Sequence, residues 1–154
     1  MARFKGQATN SVDEKGRVAI PAKMRRVLTP EANETFTATL GYEQCINLYP
    51  NDRWEQMEEE FGNLNQFNSE TRLFIRDTLR WAEEVSLDKQ GRIVLPKDLM
   101  READLGDTAL VIGALDHIEV WDPAQYEDYL DDRPAPKEEV AEKVMGQIRS
   151  GGAA

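Results

Sequence analysis

The sequence predicts an α+β protein that carries two copies of one small β-rich unit, with helices at the periphery. Three observations support this prediction. A motif recurs at a constant offset of 75 residues, strand-like runs follow each copy, and apolar residues recur at helical spacing between and after the copies. With 154 residues, of which 40% are hydrophobic, the chain is long enough to bury a core.

The repeated motif predicts the first strands of each unit. Residues 11–21 (SVDEKGRVAIP) align with residues 86–96 (SLDKQGRIVLP), and Ser, Asp, Gly, Arg and Pro are identical. The proline that ends each motif, Pro21 or Pro96, is expected at the first position of a short helix. Two further strands are expected in each unit, at 35–40 and 44–49 in the first and at 108–112 and 117–121 in the second.

Helical spacing accounts for the rest of the chain. Residues 51–64 and 69–84 predict a helical hairpin, whose first helix is expected to be capped by Asn51 or Asp52. Asp122 and Pro123 predict the start of another helix, a linker is expected over 131–136, and Val140, Val144 and Ile148 mark a last helix before frayed residues 151–154. The expected units are therefore 4–50, a hairpin 51–84, a second unit 85–122, and C-terminal helices and tail 123–154.

Each D-x-x-G-R segment predicts a rigid hairpin turn that presents an arginine. Gly16 and Gly91 are free to adopt the positive φ that closes such a turn. The preceding aspartate can accept hydrogen bonds from amides of the turn. Arg17 and Arg92 follow the glycines and are expected to project from this base, which suits planar recognition of phosphate or guanine. An alternative stays open, in which Asp and Arg pair only to hold the hairpin together.

The two turns are expected to differ in strength. Lys15 stands beside Arg17 in the first turn, whereas Gln90 takes the matching place in the second, where Lys89 is shifted by one. The first turn is therefore expected to bind more strongly.

The distribution of charge favours a nucleic-acid partner despite a net charge of −10. Residues 1–28 hold seven basic side chains against two acidic ones, a net charge of +5, and the remainder holds −15. One basic face and an acidic body would orient the protein on DNA, although scattered solvated charges are the alternative. The candidate DNA-binding residues are Arg3, Lys5, Asp13, Lys15, Gly16, Arg17, Lys23, Arg25, Arg26, Lys89, Gly91 and Arg92.

Catalytic, metal and membrane functions are not supported. Cys45 and His117 are single residues of their kinds, so one chain cannot assemble a sulfur or imidazole metal cluster. The pattern contains no phosphate-binding G-x-x-x-x-G-K, and no nucleophile has a plausible base. No apolar run approaches the roughly 20 residues of a membrane span. We expect a cytoplasmic protein that is not an enzyme and has no catalytic residue, metal, cofactor or small-molecule substrate.

Several motifs, in order, resemble the MraZ family of bacterial regulators. Residues 4–25 (FKGQATNSVDEKGRVAIPAKMR) resemble the opening of that family. The match continues through Leu48-Tyr49-Pro50 with Trp54, the second motif at 88–96, and Ile118-Glu119-x-Trp121-Asp122. The tail beyond about Leu130 is expected to lie outside the resemblance.

The resemblance implies a fold and a function. The fold is a duplicated SpoVT-AbrB type, in which swapped hairpins interleave into a compact β-barrel within one chain. The function is binding of double-stranded DNA, at direct repeats upstream of the protein's own division and cell-wall operon, by a ring-shaped homo-oligomer that usually represses and associates with the nucleoid. The family's DNA-contacting loop corresponds to Asp13, Lys15, Gly16 and Arg17, and its second loop to Asp88, Gly91 and Arg92.

Some features have two interpretations. Arg72, Arg76 and Arg80 form a stripe at four-residue spacing. This stripe would contact DNA or, as we expect, pair with the acidic run 58–60 or with a neighbouring protomer. Trp54, Trp81 and Trp121 are expected in the core or at a subunit interface. The competing function is an antitoxin-like or scaffold protein whose main partner is another protein, and a small hydrolase has no residue constellation behind it.

Overall fold

The structure, a computed structural model, describes residues 1–150 and combines two sheets with helices. The strands are β1 Gln7–Ser11, β2 Arg17–Ala19, β3 Thr35–Leu40, β4 Ile46–Pro50, β5 Glu83–Ser86, β6 Arg92–Val94, β7 Thr108–Gly113 and β8 Ile118–Trp121. The α-helices are α1 Ala22–Arg25, α2 Asn51–Gly62, α3 Ser69–Leu79, α4 Lys97–Glu102, α5 Pro123–Asp131 and α6 Lys137–Arg149. The predicted α+β class is confirmed. The fraying expected at 151–154 concerns residues outside the described range.

The larger sheet mixes strands of both repeats in the order β1-β7-β8-β4-β3-β5. β1, the first strand of the first repeat, pairs with β7 of the second, and the equivalent strand β5 pairs with β3 of the first. β4 and β8 pair at the centre and join the two halves. Each repeat therefore places its first strand on the other repeat, and neither repeat completes this sheet by itself.

The smaller sheet is an antiparallel ribbon of β2 and β6. Val18 and Ile93, which occupy equivalent repeat positions, face each other at its centre and are 0% and 1% exposed. Backbone amides of Ile20 and Leu95 donate to the carbonyls of the opposite turn glycines at 2.9 and 2.8 Å. Because the strands are antiparallel, the two D-x-x-G-R turns lie at opposite ends of the ribbon.

The short helices after each turn are held by equivalent core residues. Met24 in α1 and Leu99 in α4 are both buried in the main hydrophobic cluster. Burial of one such side chain contributes about 1.5–3 kcal/mol relative to exposure. The chain that leaves each turn is thereby fixed against the core, which also contains Phe36, Leu48, Val111, Ile118 and Val120.

The expected helix starts differ from the structure in two ways. Pro21 and Pro96 precede their helices as N-cap residues with extended ψ, so the helices begin one residue later than expected. The predicted side-chain cap of α2 was wrong, because Pro50 is the N-cap. Asn51 instead accepts a hydrogen bond from Thr37 Oγ1 at 2.7 Å, and Asp52 accepts one from Thr29 Oγ1 at 2.8 Å. These side chains connect α2 to the sheet and to a loop.

The second helix of the hairpin is shorter than expected. α3 ends at Leu79 and not at 84, because Glu83–Ser86 pairs with β3 as a strand. The hairpin itself is confirmed, since Phe61 of α2 and Phe74 of α3 meet edge to face with ring centroids 5.5 Å apart. Backbone pairing across the repeats has overridden a helical pattern that continued through the segment.

The remaining helices differ in how they are anchored. The predicted start of α5 is confirmed, because Asp122 caps it by accepting hydrogen bonds from the amides of Ala124 and Gln125. Trp121 is buried and contacts Tyr126 and Tyr129 of α5. Neither α5 nor α6 has a buried residue of its own, so the contacts of its tyrosines with Trp121 are what anchor α5. Across residues 1–150, none of the helices has the length and apolar character needed to traverse a bilayer.

Candidate nucleic-acid interface

The two D-x-x-G-R turns have the same backbone geometry. Gly16 and Gly91 adopt φ of 84° and 74°, in the region that glycine reaches without strain. Their amides donate to the carbonyls of Asp13 and Asp88 at 2.9 and 3.0 Å. The predicted role of glycine in closing each turn is confirmed.

The aspartate carboxylates stiffen the turns as predicted. Asp13 Oδ1 accepts from the amides of Lys15 and Arg17 at 3.0 and 2.8 Å. Asp88 Oδ1 accepts from the equivalent amides, of Gln90 and Arg92, at 2.8 and 2.9 Å. The amide of the arginine is the main cause that lowers the pKa of each carboxyl group below its ordinary value. Both aspartates are therefore anionic near neutral pH.

Each arginine also pairs with its own aspartate. Nε of Arg17 lies 2.6 Å from Asp13 Oδ2, and Nε of Arg92 lies 3.0 Å from Asp88 Oδ2. The pairing in the alternative interpretation of these turns therefore exists. It uses only Nε, and among residues 1–150 the Nη groups of both arginines make no hydrogen bond. With side chains 35% and 31% exposed, the arginines are oriented by the aspartates while their Nη groups stay free for an external acceptor.

The ribbon brings the two arginines to one face. Arg17 and Ala19 alternate with buried Val18, and Ala19 lies opposite Arg92. Both arginines line one shallow groove of about 200 Å³, whose other walls are Asn10, Ser11, Asp13 and Ala19. From the strand rise, their Cα atoms are about 7 Å apart along the ribbon. Turns that are 75 residues apart in sequence therefore contribute to one surface.

Two further cations reach the turns from the opposite repeat. Lys97, at the start of α4, donates from Nζ to the Glu14 carbonyl of the first turn at 3.2 Å. Arg25, at the end of α1, places its guanidinium against Gly91 of the second turn and donates from Nε to the Ile20 carbonyl at 2.9 Å. Lys97 was not among the candidates from sequence, because its contact joins segments 83 residues apart.

The other predicted cations are dispersed. Arg3 and Lys5 precede β1, whereas the first turn follows it, so they flank opposite ends of that strand. Lys23 places its amino group against Gly6, and Arg26 donates from Nε to the carbonyl of Ala22 at 3.3 Å. Lys89 is exposed and lies within the second turn, between Asp88 and Gln90. The basic segment 1–28 thus does not form a single cluster around the first turn.

The three arginines on α3 and directly after its end are not paired with the acidic run of α2 in the described part of the chain. Within residues 1–150, Arg72, Arg76 and Arg80 make no ion pair with Glu58, Glu59 or Glu60, and Glu60 pairs with Arg53 instead. Arg80 lies over the ring of Trp81 at 4.6 Å. The expectation of an intramolecular match was wrong, and a contact with a neighbouring protomer stays a prediction.

His117 belongs to a half-buried polar network. Its Nδ1 lies 2.8 Å from Asp116, and its Nε2 lies 3.2 Å from Glu119, which also accepts from Trp121 Nε1 at 2.9 Å. Arg53 joins Asp116 at 2.9 Å. Burial acts to lower the pKa of His117, but the hydrogen bonds to Glu119 and Asp116 outweigh it and raise the pKa above its ordinary value. These contacts join α2 to β8 and give His117 a structural role.

Metal ligation and thiol chemistry have no support in the described part of the chain. Residues 1–150 contain no group of three or more His, Cys, Asp or Glu side chains placed to hold a metal ion. Cys45 is buried, and its burial raises the pKa of the thiol far above its ordinary value.

Comparison with known proteins gives a family match over nearly the whole chain. A family described as "MraZ protein, putative antitoxin-like" matches twice, over residues 4–77 and 78–147. Proteins named transcriptional regulator MraZ from Syntrophomonas wolfei and Clostridium tetani are 37% and 36% identical over 142 and 141 residues, which is 92% of this chain and 96% of each relative. One from Acetivibrio thermocellus is 37% identical over 141 residues with the same coverage. The family match reaches residue 147, so the expected end near Leu130 was wrong.

Proposed function

The chain belongs to the MraZ family, and from that premise we propose that it is a transcriptional regulator that binds double-stranded DNA. The observation that carries the proposal is the pair of arginines on one face of the β2/β6 ribbon, each on a glycine-closed turn. A two-stranded ribbon fits the major groove of B-DNA, and arginine is the commonest bidentate partner of guanine. In this mode the ribbon face reads bases and the turns at its ends contact phosphates.

The candidate residues divide by position. Lys15, Arg17, Lys89 and Arg92 are the proposed direct contacts, while the aspartates and glycines of the turns hold them in place. Arg3, Lys5, Lys23 and Arg26 lie outside the ribbon groove and contribute long-range attraction to the DNA.

We extend the proposal to the whole assembly. The exchange of β1 and β5 between the repeats supports a swapped-hairpin barrel of the SpoVT-AbrB type. One protomer with a few cations neutralises few phosphates, and each contributes a slope of only about −0.9 to log K against log salt. A ring-shaped homo-oligomer would place several ribbons on successive direct repeats, and tethered contacts multiply affinity by roughly 10² or more.

The cellular role follows from the same premise. We propose a repressor that acts on direct repeats upstream of its own division and cell-wall operon, in the cytoplasm and in association with the nucleoid. The names of the relatives describe regulators and not enzymes. No reaction, cofactor or small-molecule substrate belongs to the proposal.

The test is a mobility shift with the DNA upstream of the protein's own coding sequence. Loss of a bidentate arginine contact costs about 1–3 kcal/mol and relaxes specificity at one base pair. Arg17→Ala should therefore weaken binding about 5- to 150-fold. Lys143→Ala, which removes the same charge from α6, should bind like the wild type. Equal affinity and specificity of Arg17→Ala and the wild type would overturn the proposal.

One second candidate has a specific observation behind it. α6 exposes Val140, Val144 and Ile148 at four-residue spacing, and the family description includes the word antitoxin. A protein partner with a complementary apolar helix would cover this face. On this alternative, the main partner is that protein and DNA binding is secondary.

A further inference from the structure

Each D-x-x-G-R turn is packed by the helix that follows the other turn. α4 of the second repeat approaches the first turn, where Lys97 Nζ donates to the Glu14 carbonyl at 3.2 Å. α1 of the first repeat approaches the second turn, where a Cβ added at Gly91 would lie 2.6 Å from Arg25 Cζ. The side chains that complete each turn therefore come from the opposite repeat.

The two contacts use different repeat positions. Arg25 is equivalent to Met100, whose Sδ would lie 3.3 Å from a Cβ added at Gly16. Lys97 is equivalent to Ala22, which carries no charge. At the shared packing position, one repeat therefore supplies a guanidinium and the other a thioether, and the second repeat supplies its cation from the first residue of its helix.

The cation from the opposite repeat changes the net charge of each turn. Residues 13–17 contain two acidic and two basic side chains, so the first turn alone is neutral. Residues 88–92 contain one acidic and two basic side chains, so the second turn alone carries one positive charge. Lys97 raises the first turn to one positive charge, and Arg25 raises the second to two. The second turn is thus not the weaker one in charge, despite Gln90.

We infer that each turn binds DNA together with a cationic side chain that the other repeat supplies. These side chains are Lys97 at the first turn and Arg25 at the second. The inference rests on the proposed function and adds Lys97 as a DNA-contacting residue. Both cations lie at the ends of the ribbon, where the phosphates on either side of an occupied major groove pass. The DNA-binding surface then requires both repeats in one folded chain.

A purely structural role does not explain why Lys97 and Arg25 are charged. The Lys97 side chain is exposed, and an ammonium has three donors, of which one is used on Glu14. Packing of Arg25 on Gly91 does not require a charge, because Met100 packs in the equivalent place on Gly16. Arg25→Met therefore retains an equivalent packing contact on Gly91 while it removes the cation, together with the hydrogen bond from Arg25 Nε to the Ile20 carbonyl.

The experiment measures the slope of log K against log salt for the full chain. The probes are the DNA upstream of its own coding sequence and a scrambled duplex of the same length. Lys97→Ala and Arg25→Met should each reduce the slope by about 0.9 per bound protomer. With this smaller slope, the affinity of the variant increases about eightfold less than that of the wild type for each tenfold decrease in salt concentration. Lys143→Ala is the control of equal charge and should keep the wild-type slope.

Two further variants distinguish a residue that contacts DNA from one that only stabilises the fold. Lys97→Arg should restore the slope, and Met100→Arg should steepen it by about 0.9, because it adds a guanidinium at the first turn. Unfolding by urea shows that each variant is folded under the binding conditions. A wild-type slope in both folded Lys97→Ala and folded Arg25→Met would overturn the inference.

The same measurements distinguish this failure from failure of the proposed function. One outcome is that the wild type shows salt-dependent DNA binding, that Arg17→Ala weakens this binding, and that Lys97→Ala and Arg25→Met leave the slope unchanged. In that case only the assignment of Lys97 and Arg25 as DNA contacts is wrong. If the wild type shows no salt-dependent binding to either duplex, the proposed function fails and the inference falls with it.

Discussion

At the scale of single residues, the turn glycines set the position of the arginines. Gly16 combines a φ of 84° with close contacts, because an added Cβ would lie 3.0 Å from the Leu95 carbonyl oxygen. Gly62, at the end of α2, has nothing within 4 Å of an added Cβ. The first glycine is therefore constrained by both conformation and space, and the second by neither.

Gly16→Ala should lower the free energy of unfolding by about 1–3 kcal/mol, because it forces a strained φ and a close approach to Leu95. Gly62→Ala should instead raise it by up to about 1 kcal/mol, because alanine fits a helical backbone that has open space around the added methyl group. Denaturant unfolding of both variants measures the difference. A Gly16→Ala protein as stable as the Gly62→Ala protein would contradict the geometry described for the turn.

His117 gives the protein a pH dependence of definite sign. Its pKa is raised in the folded state, so the folded protein holds its proton more tightly than the unfolded chain. The resulting stabilisation is complete below the unfolded pKa of about 6.5 and is lost as pH rises through the folded pKa.

The free energy of unfolding should therefore decrease with rising pH above about 6.5, with a His117 contribution of at most about 1.4 kcal/mol per pH unit. His117→Gln should remove this part of the slope while retaining an uncharged polar side chain. Urea unfolding at a series of pH values from about 5.5 to 8.5 provides the measurement. Parallel profiles for the variant and the wild type would show that the network does not hold the proton.

At the scale of elements, α1 and α4 are short helices with a positional role. Each is held by one buried side chain, Met24 or Leu99, and each contacts the opposite turn. A helix of four or six residues has little stability of its own, so tertiary packing determines its position. α6 is the opposite case, a longer helix with no buried residue.

Val144→Glu with Ile148→Glu should leave the melting temperature unchanged, because these side chains are 51% and 58% exposed. DNA binding should also be unchanged, since the ribbon lies on other elements. If the second candidate function is correct, the double variant should lose a stoichiometric protein partner that the wild type retains during purification. Loss of DNA binding with retained stability would instead place α6 in the DNA interface.

At the scale of the whole molecule, exchange of strands makes the two repeats interdependent. β1 has its partner in the second repeat and β5 has its partner in the first. The ribbon at the candidate interface also takes one strand from each. A single repeat therefore lacks both a completed sheet and a completed binding face.

Fragments 1–82 and 83–154, produced separately, should not fold as monomers, because each leaves apolar strand faces and sheet edges without partners. Mixing them should restore a cooperative unfolding transition and one complex of the two fragments. Circular dichroism and light scattering measure both outcomes. Cooperative unfolding of monomeric 1–82 alone would show that the exchanged pairing is not required.

The sequence was sufficient to predict features that depend on local chemistry. The glycine and aspartate roles in the turns, the hairpin of α2 and α3 and the cap at Asp122 each follow from residues close to one another in the chain. The extent of α3 did not follow, because pairing of Glu83–Ser86 with β3 is stronger than a continuing helical pattern.

What only the tertiary structure decided is which residues of the two repeats meet. The offset aligns Arg17 with Arg92 but does not show that one ribbon carries both, that Arg25 lies on Gly91, or that Lys97 reaches Glu14. The physical reason is that local patterns specify turns and periodicity, whereas strand exchange is set by burial of apolar faces between segments far apart in the chain. The sequence alone therefore determined the parts of the candidate interface, and the packing of one repeat on the other determined its composition.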